Sequence, residues 1–182
     1  MNPELEADDR YTLSMGKANL LSLPFVAASV LLLVPFGLLY GWDAVRGLKD
    51  SFFSWYIFVP SIVLGIIVHE FIHGLTWKLA GNLTMDQIKY GFMLKTLTPY
   101  AHATAPMRAD AYRLGAAMPL IMLGFLPYLV ALATGNSFLM GFSFFFTFSA
   151  AGDMMILWII RSLPAGTRVQ DHPTKGGVMV FE

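Results

Sequence analysis

The chain has 182 residues, 56% hydrophobic and only 13% charged, with a mean hydropathy of +0.60 and a formal net charge of zero. That balance excludes an ordinary soluble domain and any bulk attraction to nucleic acid, and it suits a small integral membrane protein. There is no cysteine, so disulfides and thiolate metal sites are excluded.

In chain order, four apolar segments reach the roughly 20 residues that a span requires: about 19–42, 52–79, 111–134 and 137–163. The first is read as a span rather than a signal peptide, because its apolar run is too long and no small-residue cleavage site follows it. The expected fold is an all-α integral membrane domain over residues 1–182, with four transmembrane helices. A cytoplasmic-side loop or β-hairpin lies between helices two and three, and the tails are 1–18 and 164–182.

Lysine and arginine set the orientation. With a cytoplasmic N-terminus, ten of the twelve fall on one side: Arg10, Lys17, Lys78, Lys89, Lys95, Arg108, Arg113, Arg161, Arg168 and Lys175. Only Arg46 and Lys49 fall on the other, a positive-inside bias that predicts a multi-pass protein of the cell membrane with both termini cytoplasmic. Gly135 and Asn136 leave a minimal connection between spans three and four, which should form a tight antiparallel pair. In the loop 80–110, Ile88, Tyr90, Phe92 and Leu94 alternate with Lys89, Gly91 and Met93, which predicts a strand. LTPYAHATA follows, and a hairpin at the membrane face is expected.

Span two carries IIVHEFIHGLTW. Between Asp50 and Lys78 its only ionisable side chains, tyrosine aside, are His69, Glu70 and His73. Groups of this kind inside a membrane are costly and mark function. Residues four apart share a helix face, so both imidazoles can address one ion, while Glu70 lies about 100° round, within reach of a water. This is the HExxH arrangement of zinc hydrolases, two ligands and a general base.

Catalytic zinc usually takes three protein ligands. Asp153 is the only charged residue between Arg113 and Arg161, and Ala150 and Gly152 beside it are small enough to admit a neighbouring helix. His69 is nine residues before Lys78 and Asp153 eight before Arg161, so both lie roughly 12–14 Å from the cytoplasmic helix ends. Asp153 is therefore the candidate third ligand, against the alternative that it pairs with a tyrosine or a backbone group. His102, in YAHAT, is a substrate contact together with Tyr100, an alternative ligand in place of Asp153, or a plain interfacial histidine. His172, in QDHPTKGG, reads as a turn residue with Asp171.

HEFIHG on a second span, a loop ending YAHATAPM and SAAGD on a fourth span together resemble the small bacterial membrane proteins described as putative zincin peptidases. The resemblance covers about residues 61–173 and extends more broadly to the site-2 protease intramembrane metalloproteases. It implies an intramembrane metallopeptidase with a Zn2+ cofactor, in which His69, His73 and Asp153 match the ligands and Glu70 the base. The chain departs from the site-2 protease pattern at Ile72, where glycine is favoured, and around Asp153, which follows Gly152 and precedes Met154.

The implied partners are the lipid bilayer and a membrane protein or peptide substrate, with no nucleic acid. Zinc is expected over manganese or cobalt from the histidine donors. Three other functions fit the same residues: a metal transporter, a non-catalytic zinc-containing membrane scaffold, and a non-peptide hydrolase acting on a lipid or an amide.

Overall fold

A computed structural model describes residues 9–53, 55–93 and 98–181. The fold is mostly helical, and small sheets accompany the helices. Three helical stretches are long and apolar enough to cross a membrane: Met15–Tyr40, Trp55–Gly81 and Ala109–Thr134. Among the described residues a helix pair, Ser137–Ser149 and Ala151–Ile159, bent by 40° at its break, makes a fourth if the two count as one stretch. Large apolar side chains such as Leu38, Leu64 and Leu79 lie exposed along these helices, as lipid-facing positions do.

The chain divides into two compact units. The first comprises Met1–Leu21, Glu70–Met118 and Gly152–Glu182, and the second Ser22–His69 and Pro119–Ala151.

In the second unit, the first membrane-length stretch consists of α1 (Met15–Val30), begun in the other unit, and α2 (Leu33–Tyr40). Gly41, at a φ of 84°, ends α2 in a conformation that glycine adopts without strain. Short helices α3 (Trp42–Arg46) and α4 (Leu48–Phe53) lead to α5 (Trp55–Gly81). Phe36, Leu48, Tyr128, Ala131 and Met140 form the buried core of this unit.

The third membrane-length stretch opens as α6 (Ala109–Pro119), passes through a π-helical stretch at Leu120–Phe125 and continues as α7 (Leu126–Thr134). Local π geometry disturbs the regular carbonyl pairing, and the Ser143 hydroxyl donates to the Gly124 carbonyl at 2.8 Å. The connection to α8 (Ser137–Ser149) is the two residues expected, with Gly135 left-handed and Asn136 capping α8 by accepting from the Leu139 N–H. The tight α7–α8 pair is as the sequence predicts.

The first unit holds two sheets. β2 (Ile88–Met93) and β3 (Thr98–Ala103) form the expected antiparallel hairpin, with Lys89 opposite His102 and Tyr90 opposite Ala101. Its base is closed by Thr104, whose N–H and hydroxyl both donate to the Gln87 carbonyl. The part of the hairpin at 94–97, which includes Leu94 and Lys95, lies outside the described residues.

The other sheet corrects the all-α expectation. β1 (Thr12–Leu13), β4 (Met107–Arg108), β5 (Arg168–Asp171) and β6 (Gly176–Phe181) pair in the order β1-β6-β5-β4. The residues expected to be tails, 1–18 and 164–182, therefore supply three of its strands. The apolar side chains of Val169, Val178 and Val180 bury into one core with Trp77, Ile88, Tyr112 and Ile160. Burial of that apolar area is the physical reason these segments fold rather than trail.

Candidate metal centre

α5 runs uninterrupted from Trp55 to Gly81, with only Pro60 to disturb it. It stops where Asn82 turns left-handed at a φ of 55° and the Leu83 N–H bonds back to the Trp77 carbonyl at 3.4 Å. The Leu83 N–H thus reaches a carbonyl that the helix end leaves over, and asparagine stands in the left-handed place glycine usually takes. Four residues apart on this helix, His69 and His73 share a face and both are buried. The boundary between the two units falls between His69 and Glu70, inside the helix, so the register of the two histidines is fixed by the helix itself.

His73 is oriented from three sides. Its Nδ1 lies 2.9 Å from the Gly115 carbonyl, an acceptor only, so Nδ1 carries the proton and Nε2 presents its lone pair. Nε2 lies 3.4 Å from Asp153 Oδ1. The ring stacks on Trp77 at 5.4 Å, and Trp77 stacks in turn on Tyr112 at 5.4 Å while its indole N–H donates to the Tyr112 carbonyl. Gly115 makes this approach of α5 and α6 possible, since a Cβ there would overlap the Trp77 indole.

Asp153 lies in the first turn of α9 (Ala151–Ile159), immediately after the break at Ala150. The far end of α9 is tied to α6 by Arg113, whose guanidinium donates to the Ile160 and Leu163 carbonyls that a helix end leaves over. Close helix approach at Gly152 is not what the small residues serve, because a Cβ there would meet nothing within 4 Å. The SAAGD segment instead marks the bend.

His69, His73 and Asp153 form a group whose candidate ligand atoms lie within 4.8 Å of one another. Ligands about 2.0–2.1 Å from a tetrahedral zinc stand about 3.3 Å apart, close to the 3.4 Å between His73 and Asp153. Two imidazoles, one of fixed tautomer, and a carboxylate make a donor set that suits zinc, so the residues present fit the ion the sequence implies.

Glu70 is half-buried on the flank of the same helix, one turn before Gly74. Tyr90 and Ile88 of the hairpin rest on Gly74, where any Cβ would overlap the Tyr90 hydroxyl. Burial and the nearby Glu70 carboxylate raise the Tyr90 phenol above its ordinary pKa.

His102 is not in the three-residue group. It lies on β3 of the hairpin with its Nδ1 4.0 Å from Oδ2 of Asp171 on β5, and Tyr100 lies two residues before it. Asp171 is not a turn residue. It is buried, accepts from the Tyr112 hydroxyl at 2.5 Å and from the Ala103 N–H at 2.7 Å, and so braces β5 to α6 and to the hairpin. Burial pushes its carboxyl upward in pKa, and those two hydrogen bonds and His102 pull against it. His172 does make the turn, its Nδ1 accepting from the Thr174 and Lys175 N–H groups.

Sequence reasoning gave no site role to Trp77, Tyr90, Tyr112 or Gly115 and missed the bracing role of Asp171. The Tyr112–Asp171 bond joins residues 59 positions apart, and no local pattern announces it.

The sequence description of one family, given as "Putative zincin peptidase", matches residues 62–168. That stretch runs from ahead of His69 to beyond Asp153. No curated protein and no solved structure matches the chain.

Proposed function

The chain belongs to the putative zincin peptidase family, and from that premise we propose that it is a zinc-dependent peptidase working within the membrane on a membrane protein or peptide. The observation that carries the reading is the His73–Asp153 approach at 3.4 Å, with His69 one turn back on the same helix. His69, His73 and Asp153 would hold the ion. Zinc bound there supplies Lewis-acid polarisation of a carbonyl and activation of a water.

The residues of the chain do the rest. Gly115 holds the His73 tautomer that leaves Nε2 as donor. Glu70, next to a ligand but offset round the helix, is the general base that takes a proton from the attacking water and passes it to the leaving amine. A structural site has no need of such a carboxylate, and its presence favours a catalytic site over a scaffold. The hairpin offers the scissile segment, once unwound, a strand to lie against. The positive-inside charge pattern supports cytoplasmic termini and entry of water from that side.

Elemental analysis of purified protein, paired with cleavage of a labelled peptide library, tests this. About one zinc per chain is expected in wild type and Glu70→Gln. Cleavage in Glu70→Gln should fall by about 10²–10⁴-fold. A Glu70→Gln variant that cleaves at the wild-type rate, or wild type that takes up no zinc when supplied, overturns the proposal.

A further inference from the structure

The two faces of the hairpin differ in use. Ile88 and Tyr90 pack toward α5 at Gly74, whereas Lys89 and its cross-strand partner His102 project to the opposite face. On that side lies a cavity of about 480 Å³, between β3 and the β5–β6 turn. Its described lining includes Lys89, Lys175, His102 and His172 against a single acid, Asp171. Both oxygens of Asp171 are engaged by Tyr112 and Ala103, and with two lysines against this one acid the described lining is net positive.

Two further features say what the cavity is shaped to receive. The Ala103 N–H points away from β2 to Asp171, while the Thr104 N–H points to Gln87. By strand alternation Ala101 turns its N–H and carbonyl outward too, and among the described residues no strand pairs with that edge. Ala101 lines the cavity, which therefore offers main-chain hydrogen bonds as well as charge. Ile156, which also lines the cavity, lies three residues after Asp153 on α9, about one helical turn along from that candidate ligand.

We infer that this cavity is a substrate subsite that takes an extended peptide segment along β3 and receives an acidic side chain of that segment between Lys89, Lys175 and His102. The inference rests on the peptidase reading and adds a substrate class to it. Strand addition supplies the sequence-independent part of binding, and the basic lining supplies selection for carboxylate. An anionic lipid headgroup has the charge but no use for the Ala101 edge.

The test uses full-length Glu70→Gln protein in nanodiscs of neutral lipid, so that binding is read without turnover. The probes are fluorescein-labelled, threonine- and valine-rich peptides, identical except for glutamate, glutamine or lysine at one central position. Fluorescence anisotropy should show the glutamate peptide binding about tenfold more tightly than its glutamine twin, a typical scale for charge selection at a partly desolvated site. The double variant Lys89→Glu/Lys175→Glu should reverse the order and gain affinity for the lysine peptide, a result that misfolding would not produce.

Equal affinity for the glutamate and glutamine peptides overturns the inference, as does a preference that survives the charge reversal. Displacement of the glutamate peptide by short-chain phosphatidylglycerol, but not by excess unlabelled glutamate peptide, assigns the cavity to lipid and also overturns it. Wild-type protein that takes up no zinc fails the peptidase reading instead, and zinc-loaded protein that binds all three peptides alike fails the subsite alone.

Discussion

The two compact units of this chain are stabilised differently. In the unit of Ser22–His69 and Pro119–Ala151, Phe36, Tyr128 and Met140 make an apolar core, and side-chain hydrogen bonds such as Ser143 to Gly124 and Tyr40 to Leu132 satisfy stray helix carbonyls. The unit holding Glu70–Met118 and Gly152–Glu182 instead threads polar groups through its core. Gly115 holds His73, His73 faces Asp153, Trp77 bridges to Tyr112, and Tyr112 is fixed by Asp171. In one unit polar contacts tidy the backbone, and in the other they orient side chains that have chemistry to do. Substitutions in the apolar core of the first should cost stability alone, while those in the second, and at His69 where the first ends, should also cost metal.

The largest effect is expected from Asp153→Ala. It removes a ligand outright and should leave no stoichiometric zinc by elemental analysis, while the protein still elutes as a single species. Zinc retained at wild-type level would break the contrast at its centre.

Next comes Gly115→Leu, which drives a side chain into the Trp77 indole and displaces the carbonyl that orients His73. Loss of such an orienting partner weakens metal affinity by about 10–100-fold, measurable by competition with a chromogenic chelator. The matching change in the apolar unit, Ser143→Ala, should cost about 1–2 kcal/mol in thermal unfolding by leaving the Gly124 carbonyl unmet, with zinc content unchanged.

A smaller, pH-dependent effect belongs to Asp171. Its folded pKa is raised by burial, so the folded state holds the proton more tightly than the unfolded chain does. Stability from this group is fully present below the unfolded value near 3.8 and is lost as pH rises through the folded value. Asp171→Asn should remove that downward slope from a series of melting temperatures taken across the acid range. At the small end, Arg46→Ala breaks an exposed pair with Asp43, and the melting temperature should move by no more than about 0.5 kcal/mol implies.

How much of this was legible depended on the range of each signal. The hairpin could be read because Ile88, Tyr90 and Phe92 alternate with Lys89 and Gly91, a pattern contained in a few residues. His69 and His73 could be read because one turn of one helix relates them, and Asp153 because it stands as a solitary charge in an apolar run. The four-stranded sheet could not. Thr12–Leu13 and Met107–Arg108 are too short to show any period, and they become strands only because Gly176–Phe181 and Arg168–Asp171 come to lie beside them. Likewise the Gly115–Trp77 approach follows from packing between distant segments. The sequence sites were local, and the arrangement that holds them is not.

The hydrogen bond from His73 to the Gly115 carbonyl has a practical consequence for mutagenesis. The acceptor is a peptide oxygen, and no exchange of one natural side chain for another deletes it. An alanine scan would score the ligands and Glu70 and record the orienting group only as a glycine that resists enlargement. Replacing the peptide bond after Gly115 with an ester, by incorporating a hydroxy acid at position 116, weakens that carbonyl as an acceptor while adding no bulk, and so separates the tautomer control of His73 from the crowding around Trp77.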